Sequence, residues 1–155
     1  MLIGSDERGP NGWTEILSGD GGYVEVDPNN ANVIYAETSW LSLKKSVDGG
    51  KVFKDAKSGI NLGSFKFITP FVLDQQDARR LWLGGTYLWR STNGATTWGQ
   101  ASSALNGITT ALATSSANGN FVLAGTDTGY IYRTTTGLNT DGDTAWLSVR
   151  PRTGT

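Results

Sequence analysis

One turn is written twice in this chain and blurred once. Lys45-Ser46-Val47-Asp48-Gly49-Gly50-Lys51-Val52-Phe53 and Arg90-Ser91-Thr92-Asn93-Gly94-Ala95-Thr96-Thr97-Trp98 share the order basic, Ser, x, Asp/Asn, Gly, three variable residues, aromatic. The two serines lie 45 positions apart, and a weaker copy, Arg133-Thr134-Thr135-Thr136-Gly137, places Thr134 a further 43 positions on. Between antiparallel strands such residues make a rigid corner: the Ser or Asp oxygen accepts hydrogen bonds from its own turn, and Gly supplies a positive φ. The aromatic that follows, Phe53 or Trp98, is expected to fold back over the hairpin, worth roughly 1.5–3 kcal/mol when fully buried. In the third copy about five extra residues separate Gly137 from Trp146.

A repeat of about 40 to 50 residues made of short strands is the signature of a β-propeller blade. With the corner joining the third and fourth strands (c and d), alternation and turn residues give the others. The first full blade has strands at 23–26, 33–37, 41–45 and 51–55. The second has 65–73, 80–83, 87–90 and 97–100, and the third 109–113, 121–124, 130–133 and 145–149. Trp13 to Leu17 reads as the last strand of a preceding blade, and Met1 to Gly4 as the tail of a strand before it. The expected fold is all-β, about three and a half four-stranded blades of a partial propeller: a partial blade at 1–18, blades at 19–58, 59–104 and 105–150, and the start of another at 151–155.

The corner residues carry a family resemblance. Ser-x-Asp-x-Gly-x-x-[Trp/Phe] resembles the Asp-box, or BNR, repeat of sialidases, xyloglucan-cleaving endoglucanases, sortilin-type receptors and photosystem assembly factors. The resemblance implies a structural role, remote from any chemistry, for Ser46, Asp48, Gly49, Phe53, Ser91, Asn93, Gly94, Trp98, Thr134, Gly137 and Trp146. Asn93, Phe53 and the inserted third copy depart from the pattern. An extracellular or periplasmic setting for the parent protein is a further implication.

Composition narrows the chemistry. The 155 residues include 21 Gly but only 4 Pro, and 16 aromatics as six Trp, five Tyr and five Phe, which favours turns and strands. A net charge of −1 without a basic run gives no footprint for nucleic acid or an anionic membrane. There is no Cys, so no disulfide or thiolate chemistry, and no His, which removes the commonest general base and metal ligand. Catalysis would need carboxylates, Tyr or Lys. The N-terminal residues read as neither an export signal nor an anchor, and no apolar run approaches the roughly 20 residues of a membrane span.

Geometry divides the loops between two faces. The a–b turns and c–d corners point one way; the b–c turns and blade connections, where ligands are expected, point the other. Binding candidates there are Asp20, Glu37, Trp40, Tyr87, Asp127 and Tyr130, since carboxylates beside exposed rings suit a sugar. Against this, Trp13, Trp98 and Trp146 are expected in the core, and packing between blades is the competing reading for Tyr87, Trp89, Tyr130 and Tyr132. Asn139 to Asp143 resembles part of a calcium loop but lacks the later Glu, so no metal is expected.

The resemblance can be tested for catalysis. Glycoside hydrolysis needs two carboxylates across the scissile bond. Where the xyloglucan-cleaving enzymes carry an acid, in a segment similar to Tyr35-Ala36-Glu37-Thr38-Ser39, this chain has Ser39; Gly19-Asp20 resembles the second acid alone. No complete arginine triad for a sialic acid is found. The expectation is a non-catalytic scaffold or binding module for carbohydrate or a protein partner, without a cofactor, as a homodimer or part of a longer propeller chain. The alternative is a fragment of a larger Asp-box glycoside hydrolase.

Overall fold

The structure is a computed structural model in which residues 2–4 and 12–151 are described. Strands β1 (Leu2–Gly4) and β2 (Trp13–Glu15) form a hairpin. Three four-stranded antiparallel meanders follow in chain order. The first contains β3 (Val24–Val26), β4 (Ile34–Thr38), β5 (Ser42–Ser46) and β6 (Lys54–Asp55). The second contains β7 (Phe71–Leu73), β8 (Leu81–Gly84), β9 (Leu88–Ser91) and β10 (Gly99–Gln100). The third contains β11 (Thr109–Thr114), β12 (Val122–Thr126), β13 (Ile131–Thr134) and β14 (Leu147–Val149). The all-β class and the partial-propeller reading hold, and β1 proves to be the hairpin partner of β2.

Where strands are shorter than expected, the turn chemistry explains it. The first strand of the second sheet begins at Phe71 rather than Phe65, because Pro70 has no amide to extend the ladder. The last strand of the first sheet begins at Lys54 rather than Lys51, since the Lys51 and Val52 amides are taken by Asp48 Oδ1 at 3.1 and 3.0 Å.

Both full corners use the same bonds. Ser46 Oγ accepts from the Gly50 amide at 2.9 Å and donates to Asp48 Oδ1 at 2.7 Å. Ser91 Oγ accepts from the Ala95 amide at 2.9 Å and donates to Asn93 Oδ1 at 3.0 Å, and Asn93 Oδ1 accepts from Thr97 at 3.0 Å. Ala95 adopts φ 59°, the left-handed region that Gly50 occupies at 87°. In the third corner Thr134 Oγ1 accepts from the Thr136 amide at 3.1 Å and shares a bond with the Thr136 hydroxyl at 3.3 Å, and the inserted residues form a short 3-10 turn, Gly137–Asn139. All three corners are stitched to the a–b turn of their own sheet: the amides of Gly49, Gly94 and Gly137 donate to the carbonyls of Asn32, Arg79 and Asn120.

Strand alternation sends successive side chains to opposite faces, so the middle sheet builds two cores. Leu81, Leu83 and Trp89 face the first sheet and pack with Tyr35, Leu43 and Trp98, while Trp82 and Leu88 face the third and pack with Val122, Tyr132 and Trp146. Two polar contacts pin each seam in opposite directions. Lys45, beside the Tyr35 ring, donates to the Gly94 carbonyl at 2.8 Å, and Arg90, beside Trp82, donates to the Gly137 carbonyl. In return the indole N–H groups of Trp98 and Trp146 donate to the carbonyls of Ala56 and Ala101 at 2.7 and 2.9 Å.

Two expectations are corrected. Trp13 is 58% exposed rather than in the core, because no described segment stands where the preceding sheet supplies an Ala carbonyl to Trp98 and Trp146. Phe53 is only half-buried and has no N–H with which to make that contact.

Candidate functional site

The b–c turn of the first sheet is the most unusual segment on the connection face. Ser39-Trp40-Leu41 contains no Gly, yet Trp40 and Leu41 both take the left-handed region, with φ of 59° and 57°. For residues with a Cβ this costs about 1–2 kcal/mol each. Leu41 recovers part of it by burial in the first core. Trp40 recovers little, being 67% exposed. Its amide donates to the Phe67 carbonyl at 2.9 Å, and its ring meets Phe67 edge-on, centroids 5.4 Å apart. Phe67 is exposed too, so the pair forms an aromatic platform.

Beneath that turn lies Glu37. Its side chain is buried; Oε1 accepts from the Thr69 amide at 3.1 Å, and Oε2 is buried without a hydrogen-bond partner. Gly22 closes over it: a Cβ there would stand 1.8 Å from Oε2. Burial pushes the Glu37 carboxyl up from its ordinary value, opposed by nearby amides including those of Thr69 and Tyr23. Asp20 is exposed, in the loop whose Gly19 and Gly22 rest against Thr38 and Glu37. The fold therefore gathers Asp20, Glu37 and Trp40 in one corner of the connection face.

The remaining candidates are tied into the scaffold. Asp127 Oδ2 accepts from Lys66 at 2.6 Å and Oδ1 from the Ile108 amide at 2.9 Å, and the Lys66 bond holds its carboxyl below the ordinary value. Tyr87 packs against the first core and against Gly63. Tyr130 packs against the second core, with its ring 6.1 Å from Tyr132 and 5.5 Å from the Arg150 guanidinium. In the calcium-like loop Asp141 Oδ1 is occupied by Thr144 Oγ1 at 2.7 Å, and no cluster of three His, Cys, Asp or Glu side chains suited to a metal occurs among the described residues. Gly22 belongs to the Gly19–Gly22 stretch that the sequence offers on the connection face, whereas Phe67 and Thr69 were not singled out from the sequence. The alternation of Phe65 and Phe67 had marked that segment as strand.

No family model and no curated protein match this chain. Solved structures do. An ancestral GH74 enzyme superposes with a TM-score of 0.65 at 20% identity, over 85% of this chain and 18% of its own. The GH74 xyloglucanase of Xanthomonas campestris gives 0.61 at 18%, over 87% of this chain and 22% of its own. YCF48 from Cyanidioschyzon merolae gives 0.58 at 16%, over 90% and 44%. A further YCF48 structure, at 0.54 and 16% over 84% and 40%, is bound to D1 peptide. The fold is a partial β-propeller. At these identities the likeness establishes architecture alone, and the chain spans less than half the length of each of these structures.

Proposed function

We propose that this chain is a non-catalytic Asp-box propeller module that binds carbohydrate or a protein partner on the connection face beside Trp40. The observation that carries this reading is the Trp40 turn: a strained backbone that leaves an indole exposed is better explained by a ligand than by stability. An aromatic platform takes the apolar face of a sugar ring or an aliphatic peptide side chain equally well. The xyloglucanase and the peptide-bound YCF48 show that related architectures serve both ligand classes in other proteins.

The rival reading, a fragment of a larger glycoside hydrolase, is favoured by the contrast between buried Glu37 and exposed Asp20, two carboxylates in different environments. Against it, Glu37 is sealed by Gly22, so it would reach no substrate without movement, and Ser39 stands where the resemblance requires an acid. Further propeller blades would come from a second copy or from more of the same polypeptide.

Glycan-array and affinity-electrophoresis binding, a panel of peptide ligands and a reducing-sugar assay test the reading together. Binding that is lost in Trp40→Ala, with no sugar release, is the expected result. Turnover of xyloglucan or β-glucan that disappears in Asp20→Asn would overturn it.

A further inference from the structure

The outer face of the third sheet repeats the surface with which the first and second sheets hold their neighbours. Pairing across β12, β13 and β14 aligns Leu123, Arg133 and Leu147 in one row and Gly125, Ile131 and Val149 in the next. Leu123, Ile131, Leu147 and Val149 are 49%, 42%, 67% and 62% exposed, around shallow hollows of about 260 and 250 Å³. An apolar sheet face of this kind on a soluble chain marks an interaction surface.

The register makes the correspondence specific. Ala56 and Ala101, whose carbonyls hold the seam tryptophans, are bonded through their amides to the carbonyls of Leu43 and Leu88. The equivalent residue in the third sheet is Val149, paired with Ile131. Arg133 stands where Lys45 and Arg90 stand, and its side chain has no hydrogen bond or ion pair among the described residues. The complementary half of a seam is at the other end of the chain. Trp13 precedes Ile16 by three residues, as Trp98 precedes Ala101, and Ile16 packs against Gly50 in the next corner. The Trp13 indole is exposed and uncovered.

We propose that a second copy of this chain seats its Trp13 end on the outer face of the third sheet, with the indole N–H donating to the Val149 carbonyl over Ile131 and Leu147. This extends a seam that the chain already builds twice, and it does not depend on the ligand proposed above. Because the two halves lie at opposite ends, the contact is head-to-tail, and two copies that each use both ends close on themselves.

Sedimentation equilibrium of the 155-residue chain over a wide concentration range tests this. The expected result is a dimer in the wild type and a monomer for both Trp13→Ala and Leu147→Asp, with each variant melting where the wild type melts when diluted to monomer, because both positions are exposed in the single chain. An equimolar mixture of the two variants regains a dimer, since one undamaged seam forms between unlike chains. Trp13→Phe, which fills the space without the N–H, removes one bond from each of the two seams and weakens association by about tenfold to a hundredfold. A wild-type monomer throughout would overturn the proposal and leave the face to further blades of the same polypeptide. A dimer that survives Trp13→Ala, or a mixture that stays monomeric, would equally overturn it.

Discussion

The indole N–H of Trp98 donates to the main-chain carbonyl of Ala56 at 2.7 Å, across the boundary between two sheets. The same side chain is buried in the first core, so its apolar and polar contributions can be separated. Trp98→Phe should cost about 0.5–1.5 kcal/mol for the bond itself, with more if the Ala56 carbonyl is left dry. Trp98→Ala should cost about 3–5 kcal/mol through the cavity it leaves. Urea unfolding with unchanged m-values would give both figures, and a Trp98→Phe variant as stable as the wild type would show that the hydrogen bond contributes nothing.

The corners should differ in their dependence on the hydroxyl. Ser91→Ala strips the buried Ala95 amide of its acceptor and should cost about 1–3 kcal/mol. Thr134→Ala removes the acceptor of a Thr136 amide that is only part-buried, with a bond to the Thr136 hydroxyl, and should cost less. Chemical denaturation of the pair measures this; a larger loss at Thr134 would contradict the bonding described.

Glu37 makes stability depend on pH in an unusual sense for a carboxylate. Burial raises its value in the folded chain, so that chain holds the proton more tightly than the unfolded one. The associated stability is fully present below the ordinary carboxylate value and is lost as pH rises through the raised one. Glu37→Gln keeps an oxygen for the Thr69 amide and removes the charge. Its Tm should exceed that of the wild type at neutral pH, and the difference should shrink on acidification. A Tm difference that is constant with pH would refute this.

At Trp40 stability and binding should separate. Asn tolerates the left-handed region better than Trp, so Trp40→Asn should leave Tm unchanged or raise it while abolishing binding. Differential scanning calorimetry beside the ligand assay checks both. A variant that loses Tm and binding in proportion would make the turn structural.

The fold was legible because its punctuation is local. Ser46, Asp48 and Gly50 bond within one turn, so nine residues of sequence display the whole device. The seams were harder to read: Lys45 belongs to the motif, but its acceptor, Gly94, lies one sheet away. The corner around Trp40 was legible in composition only. Its platform partner Phe67 stands in a segment whose alternation suggested strand, and the left-handed backbone at Trp40 and Leu41 has no Gly to announce it. Glu37 sat at an apparent strand end facing a loop, and only the return of Gly22 and Thr69 closes water out.

The paired seam contacts have an evolutionary consequence. At both seams the earlier sheet sends a cation forward and the later sheet sends an indole N–H back, so the middle sheet carries both halves of one repeated joint. A whole unit of about 45 residues could then be duplicated or deleted in one genetic event without inventing a new interface. Selection could vary the connection loops independently of this joinery, leaving the array free to change what it recognises while keeping how it stacks.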